Sequence, residues 1–157
     1  MPAVALREET LFSAADLARG VMRLFGRREM FALAEVPLPN GRRADLMAIC
    51  PKGFISIVEI KVARGDLVAD GKWPDYVDYC DHFYWAVPPG FALDPFEGCP
   101  REACGLIVAD RYDAEVVRAA PFSKLAAARR RAETLRFARR AARRLAAALD
   151  AGIFDPE

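Results

Sequence analysis

The chain has 157 residues, of which 54% are hydrophobic and 29% charged, with a net charge of +1. This length and composition are typical of one globular domain with a substantial core, and they exclude a fibrous or disordered protein. Because no apolar run approaches the roughly 20 residues that span a bilayer, and the N-terminal segment MPAVALREET carries acids where a signal peptide needs apolar residues, we expect one cytoplasmic domain over residues 1–157 and no membrane partner.

The first predicted element is an amphipathic helix. Ser13 followed by Asp16 is a plausible helix start, since the two side chains can cap the first turn reciprocally. Apolar residues then recur at helical spacing as far as Gly26, where the helix is expected to end. The residues that share the apolar face are Leu17, Val21, Leu24 and Phe25.

Residues 31–61 read as three strands joined by two short turns. The first turn has two possible forms. Asn40 and Gly41 could be the two central residues of a tight turn, which sets Glu35 against Leu46. A three-residue loop centred on Asn40 instead sets Glu35 against Asp45 and keeps charges off the apolar face, so we prefer it.

In that register three acids form one row across three strands, because Glu35 lies opposite Asp45 and Asp45 lies opposite Glu59. Like charges placed opposite each other destabilise a sheet, and a divalent cation would relieve the repulsion. The alternative is that each acid is an edge residue paired with an arginine. The reverse side of the strands is apolar, including Val36 and Val58, so helices should cover both faces.

The remaining elements are shorter. A short helix is expected from Pro74 to Cys80, followed by the strand HFYWAV that starts at His82. Residues 88–104 contain four prolines and read as an irregular loop. GLIVAD, residues 105–110, reads as a buried strand, and residues 115–118 form a short strand after a turn.

Residues 123–149 predict a long alanine-rich helix with a continuous apolar stripe. The stripe consists of Leu125, Ala128, Ala132, Leu135, Ala138, Ala142, Leu145 and Leu149. Residues 118–150 hold ten Arg or Lys against two acids, a charge of +8 that leaves −7 for the rest of the chain. This asymmetry favours a polyanionic partner, although a solvated helix face is also possible.

The acids suggest a hydrolytic site. Carboxylate oxygens are the ligands that Mg²⁺ prefers, and Lys61 lies two residues after Glu59 on the same side of its strand. Metal-binding acids beside a fixed cation suit phosphodiester hydrolysis, in which the metal polarises the phosphoryl group and the lysine orients water or offsets charge. The candidate ligands of the metal are Asp45 and Glu59, and Glu35 and the backbone carbonyl of Ile60 are further candidates.

An acid at the end of one strand, followed by Glu59, Ile60 and Lys61 at the end of the next, resembles the PD-(D/E)XK nuclease superfamily. The longer runs GRRADLMAI, VEIK, DGKWPDYVDYCDHFYWAVP and GLIVADRY, with the arginine-rich helix, resemble the MmcB-type family of proposed DNA-repair endonucleases. The resemblance covers nearly the whole chain. It implies an α/β fold with a restriction-endonuclease-like core, a mixed central sheet flanked by helices, and a long basic C-terminal helix.

The resemblance also implies a magnesium-dependent deoxyribonuclease that acts on DNA, with Mn²⁺ as a possible substitute. By position, the two acids of the superfamily fall on Asp45 and Glu59 and its lysine on Lys61, whereas Ala44 replaces the usual preceding proline. The superfamily often has another acid in its first helix, for which Glu35 on the first strand, or Glu9, is the substitute here. Residues expected to line the cleft are Asp66, Lys72 and Tyr76.

Candidate nucleic-acid contacts are arginines of the first hairpin and of the C-terminal helix. They are Arg42, Arg43, Arg129, Arg136, Arg140 and Arg143. Phosphate contacts of this kind carry no sequence information. Two alternatives to a nuclease remain, namely a non-catalytic DNA-binding adaptor with the nuclease architecture and an unrelated domain with salt-bridged acids.

Overall fold

The computed structural model describes residues 12–63, 72–91 and 102–154. Within these ranges three helices and six strands alternate as an α/β arrangement. The helices are α1 (Ala14–Arg27), α2 (Pro74–Val77) and α3 (Ala127–Leu149), and the strands are β1 (Phe31–Pro37), β2 (Arg43–Ile49), β3 (Ile55–Ile60), β4 (His82–Val87), β5 (Gly105–Ala109) and β6 (Ala114–Arg118).

All six strands form one mixed sheet in the order β1-β2-β3-β4-β5-β6. The pairs β1–β2, β2–β3 and β5–β6 are antiparallel, whereas β3–β4 and β4–β5 are parallel. The three parallel strands β3, β4 and β5 therefore occupy the centre, and their connections bring helical segments onto the sheet. The mixed sheet with flanking helices expected from the sequence is confirmed.

The register of both hairpins is the one preferred from the sequence. Leu33 pairs with Met47, and Met47 pairs with Ile57. Each hairpin closes with a three-residue loop whose last residue, Gly41 or Gly53, has φ +84°. Glycine adopts this left-handed conformation without steric cost, which explains why the three-residue loop is chosen over the two-residue turn.

Helix α1 covers one face of the sheet. It begins as predicted, because the Ser13 side chain accepts a hydrogen bond from the Asp16 backbone N–H while the Asp16 side chain accepts one from the Ser13 backbone. The predicted apolar face is fully packed, with Leu17 and Val21 at 0% exposure. This face contacts Leu46 and other small or branched residues of β2 to β5.

The opposite face of the sheet is covered by α2 and by the start of α3. Tyr76 of α2 stacks on Phe83 of β4 with ring centroids 5.8 Å apart. Leu125 is buried just before α3, and Phe137 of α3 packs on the same apolar cluster. The expectation that helices cover both faces is confirmed.

The alternation of side-chain directions along β1 is interrupted at Glu35, which has a φ of +52°. Val36 packs with Leu38 and Ala44 in the apolar cluster on the α2 and α3 face, and not on the α1 face as the alternation predicted. A positive φ at a residue other than glycine costs roughly 1 to 3 kcal/mol and turns the following side chain to the other side. The predicted placement of Val36 is therefore wrong, although the register is right.

Helix α3 differs from the expectation in the side that it presents to solvent. Glu133 is its one buried residue, whereas Leu135, Leu145 and Leu149 are 59%, 63% and 81% exposed. The helix is attached to the sheet through arginines, since Arg130 donates to the Gly53 carbonyl and Arg144 donates to the carbonyls of Ala34 and Glu35. The predicted apolar stripe therefore faces solvent from Leu135 to Leu149, whereas Leu125 before the helix is buried, and the polar side of the helix contacts the sheet.

No helix in the described part of the chain combines the length and the apolar composition that crossing a membrane requires.

Candidate active site

Two acidic side chains meet where β2 begins and β3 ends. Glu59 is 5% exposed and Asp45 is half-buried. The Asp45 backbone N–H donates to Glu59 Oε1 at 3.0 Å, and the Ile60 backbone N–H donates to Asp45 Oδ2 at 2.8 Å. Each carboxyl group is therefore fixed by a backbone donor of the other strand.

This exchange of hydrogen bonds occurs where the regular ladder between β2 and β3 ends. Paired residues run from Ile49 with Ile55 to Leu46 with Val58. Beyond that pair the side chains of Asp45 and Glu59 accept the bonds of backbone donors. A carboxyl group bound by backbone N–H groups is held in one orientation, which is the pre-organisation that a binding site needs.

The acid pair is electrostatically unfavourable without a cation. Burial raises the pKa of Glu59 to about 9, and the charge of Asp45 adds to this rise. Lys61 offsets part of it. Two adjacent carboxyl groups with hard oxygen atoms and little access to water fit a divalent cation such as Mg²⁺, which would stabilise both ionised forms.

Lys61 follows β3 and lies beside this pair, as its spacing predicted. Its backbone N–H donates to the Ala86 carbonyl at 2.9 Å, which extends the contact with β4 beyond Ile60. Its ammonium group lies 5.4 Å from the ring centroid of Trp85, the residue that pairs with Glu59. The aromatic face attracts the cation and so restricts the position of the lysine side chain.

Glu35 lies outside the acid pair. Its side chain is 68% exposed and its Oε1 is 3.8 Å from Arg43. The positive φ turns it from the row that the register alone would give. Among the residues that the structure describes, no cluster of three or more His, Cys, Asp or Glu side chains could hold a metal ion.

The residues predicted to line the cleft have different surroundings. Tyr76 is buried in the apolar cluster under α2, whereas Lys72 is exposed before this helix. Asp66 lies outside the described residues. Trp85 was not predicted as a site residue, yet it is fully buried and its indole Nε1 has no hydrogen-bond partner among the described residues.

The two hairpin arginines bind acids of the protein itself. Arg42 Nε donates to Asp75 Oδ2 at 2.8 Å, and Asn40 donates to the Asp75 carbonyl. Arg43 lies near Glu35, as described above. Since both ion pairs are more than one-third exposed, each guanidinium group still has access to an external anion.

The predicted arginines of α3 occupy one side of the helix. Arg129 donates to the Asp78 carbonyl and stacks on Tyr79, so this side is turned toward α2. Arg136 pairs with the buried Glu133, and Arg143 lies 4.8 Å from the Phe154 ring centroid. Arg136, Arg139, Arg140 and Arg143 line an open cavity of about 640 Å³ together with Ala142 and Phe154.

The profile of the family described as DNA repair protein MmcB-like matches residues 6–152. The chain belongs to this family. It is also 45% identical to a solved protein of unknown function from Silicibacter pomeroyi, with a TM-score of 0.80 over 90% of this chain and 97% of the other. A comparison with curated proteins found no match.

This MmcB-like protein has a second buried acid, Asp81, whose role the sequence did not indicate. Its side chain accepts hydrogen bonds from the backbone N–H groups of Ile55 and Leu125 and from both terminal nitrogens of Arg130. The Arg130 guanidinium and these backbone donors hold the pKa of Asp81 below its usual value, against the opposing effect of burial. Asp81 thus joins β3, the segment before α3 and α3 itself.

The only sequence signal for this ion pair was an acid directly before a buried strand, which also occurs at exposed strand ends. The roles of Trp85 and Arg144 could not be predicted from the sequence either. An aromatic residue in an apolar strand predicts core packing, and one arginine among eight in α3 cannot be assigned to a backbone carbonyl of β1 from spacing alone.

Proposed function

We propose that this MmcB-like protein is a Mg²⁺-dependent DNA endonuclease with a restriction-endonuclease-like core, acting in the cytoplasm. The mixed sheet, with antiparallel β1 to β3 and parallel β3 to β5, supports this core. Membership of a DNA repair family supports DNA as the substrate.

The single observation that carries the proposal is the buried pair of carboxyl groups at Asp45 and Glu59. Burial and the charge of Asp45 raise the pKa of Glu59 to about 9, and Lys61 offsets only part of this rise. A pair with strongly perturbed ionisation, fixed by backbone donors and adjacent to a lysine, is typical of a catalytic site. Purely structural acids are usually neutralised by a paired cation.

Each residue has a distinct task in the proposed reaction. Asp45 and Glu59 would hold the cation with their carboxylate oxygens, and the Ile60 carbonyl would be a further ligand, while the Ile60 N–H is bound to Asp45. A bound Mg²⁺ would supply a Lewis acid for the phosphodiester oxygens and lower the pKa of a water molecule. Lys61 places a positive charge where negative charge develops on the phosphoryl group, while the Trp85 ring restricts the lysine.

The arginine side of α3 supplies the proposed DNA contact. The four guanidinium groups around the cavity of about 640 Å³ include Arg139 and Arg140, which form no ion pair within the described residues. Their side of the helix is turned toward α2, which covers the same face of the sheet as the acid pair. Phosphates bound there would position DNA without reading its sequence.

The proposal is tested with labelled duplex, flap, junction and lesion-bearing DNAs incubated with Mg²⁺ or Mn²⁺. Lys61→Ala should reduce cleavage at least about 100-fold while DNA binding is retained, because the charge acts mainly on the transition state. Lys52→Ala, a change of an exposed lysine in the second hairpin loop, is the matched control. Equal cleavage by wild type, Lys61→Ala and Glu59→Gln would assign the activity to a contaminant and reject the proposal.

A second candidate is a non-catalytic DNA-binding adaptor. It is favoured by one observation, namely that burial and the neighbouring Asp45 raise the pKa of Glu59 to about 9, so that Glu59 is protonated at neutral pH and needs no metal to neutralise it. An adaptor would bind the same DNAs with equal affinity in EDTA and in Mg²⁺, and no DNA in the panel would be cut. Cleavage that requires Glu59 would exclude it.

A further inference from the structure

The solvent-facing side of α3 carries a row of apolar residues that the proposed nuclease reaction does not use. We call it the leucine stripe, and it consists of Leu135, Ala138, Ala142, Leu145 and Leu149. All five are exposed, and the three leucines have 59%, 63% and 81% of their surface accessible. Single exposed leucines are common on protein surfaces, but a continuous row along one helix marks an interaction surface.

The spacing of the stripe is that of a helix–helix seam. Leu135, Ala142 and Leu149 are seven residues apart, and so are Ala138 and Leu145, which gives alternating steps of three and four. The alanines leave a depression between the leucines. Small residues of this kind allow the axis of a second helix to approach closely, with its own large apolar residues filling the depression.

The charge of α3 determines which helix can dock. The helix contains eight arginines and one glutamate, a net charge of +7. Arg131 lies on the same exposed side as the stripe, and Arg139, which also lines the arginine cavity, lies at its edge. Neither forms an ion pair within the described residues. Two copies of α3 placed face to face would repel each other, whereas an acidic helix would be attracted.

We propose that the leucine stripe docks an amphipathic helix of a partner protein whose apolar seam is flanked by Asp and Glu. The stripe lies on the side of α3 away from the sheet, because Glu133 and Phe137 occupy the inward side. Docking there leaves the acid pair uncovered. The surface therefore gives the protein a recruitment function in addition to DNA cleavage, and it adjoins the proposed DNA contact at Arg139 and Ala142.

The test uses the full chain and a fluorescent three-heptad peptide with Leu at the seam and Glu at the flanking positions. We expect saturable binding by anisotropy that weakens as salt is raised. Leu145→Ser with Leu149→Ser should weaken binding at least about tenfold, because both leucines lose apolar contact. Val117→Ser, at a position 44% exposed on β6, is the matched control and should bind normally.

Charge and fold are checked separately. Arg131→Glu with Arg139→Glu should weaken binding of the Glu peptide to the protein. A peptide with Lys at the flanking positions should not bind the wild-type protein. The leucine variant should keep the melting temperature and the duplex DNA affinity of wild type, since both changed residues are exposed. Retained peptide binding by the leucine variant would overturn the proposal.

Two other outcomes would also overturn it. Stronger binding to phosphatidylserine vesicles than to the Glu peptide, lost in the leucine variant, would make the stripe a membrane surface. A concentration-dependent dimer in sedimentation that the leucine variant abolishes would make a second copy of the chain the occupant. Neither result depends on nuclease activity, so a failure of the proposed function and a failure of this inference are distinguishable.

Discussion

Glu59 and Asp81 are both acids with almost no exposed surface, at 5% and 1%, and they lie on or beside the same sheet. Asp81 is bound by an arginine and two backbone N–H groups, which lower its pKa. Glu59 is bound by one backbone N–H and adjoins a second carboxyl group, and its pKa rises to about 9. Neighbours, and not burial alone, decide the charge of each group.

The difference separates a structural acid, Asp81, from the acid that we propose to be functional, Glu59. Asp81 has its ionised form fully satisfied, so removing it leaves Arg130 without its partner. The ionised form of Glu59 is disfavoured by burial and by Asp45, and Lys61 offsets only part of this effect. Such a pair lowers the stability of the fold, which is expected at a site where a bound ligand or metal supplies positive charge.

The largest expected effect is the loss of the satisfied acid. Asp81→Ala should lower the free energy of unfolding by about 3 to 5 kcal/mol, because Arg130 and two backbone donors lose their acceptor. At about pH 4.5, where Glu59 is protonated in the folded state, Glu59→Gln should change the free energy of unfolding by less than about 1 kcal/mol without metal, since glutamine resembles the protonated acid. Urea denaturation measures both, with exposed Asp78→Ala as the control. Equal losses in the two variants would contradict the comparison.

Next in size is the dependence of stability on pH, which should have opposite signs at the two acids. The pKa of Glu59 is raised from 4.5 to about 9 in the folded state, so between these values the folded state binds more protons than the unfolded state. The free energy of unfolding therefore falls as pH rises, by at most about 1.4 kcal/mol per pH unit. The lowered pKa of Asp81 gives stability that is present above its ordinary pKa of 3.8 and lost as pH falls below it.

This pH prediction is checked by denaturation in EDTA across both ranges. Glu59→Gln should remove the decline of stability between about pH 4.5 and pH 9 and leave the loss of stability at lower pH, which comes from Asp81, unchanged. A wild-type stability that is constant from mildly acidic pH up to pH 9 would show that Glu59 ionises normally.

Magnesium should stabilise the acid pair specifically. At ten times its dissociation constant, an ion that binds only the folded state adds about 1.4 kcal/mol. Mg²⁺ or Mn²⁺ should therefore raise the melting temperature of wild type, and Asp45→Asn should abolish the rise because it removes a carboxylate ligand. Asp75→Asn, at a half-buried acid of α2 bound to Arg42, is the control. The same thermal shift in Asp45→Asn would place the metal elsewhere.

The smallest effect concerns the arginine side of α3. Arg136→Ala with Arg140→Ala should reduce the salt dependence of DNA binding by up to about two units in the logarithmic plot, one for each lost phosphate contact. The matched control is Arg19→Ala with Arg28→Ala, which removes the same charge from α1 and from the residue that ends it, on the opposite face of the sheet. A slope that the α3 variant leaves unaltered would favour a solvated helix face.

Some of the candidate site could be predicted from the sequence because strand pairing is local. The hairpin loops fix the register, and the register brings Asp45 and Glu59 together while alternation places Lys61 beside them. Glu35 obeys the same register, but its side chain lies outside the predicted row of acids because its backbone has a φ of +52°. At this position Arg144 of the distant helix α3 binds the carbonyls of β1. Sequence spacing carries no information on such a contact.

The sequence by itself determined the elements, the hairpin register and the apolar faces of α1, since these depend on neighbours within a few residues or one turn. Only the tertiary structure decided which side of α3 meets the sheet. There the Asp81–Arg130 ion pair and the bonds of Arg144 to β1 fix the helix by its polar side and leave the leucines exposed. Amphipathic spacing shows that a helix has an apolar and a polar side, but in α3 long-range polar contacts determine which of the two packs on the sheet.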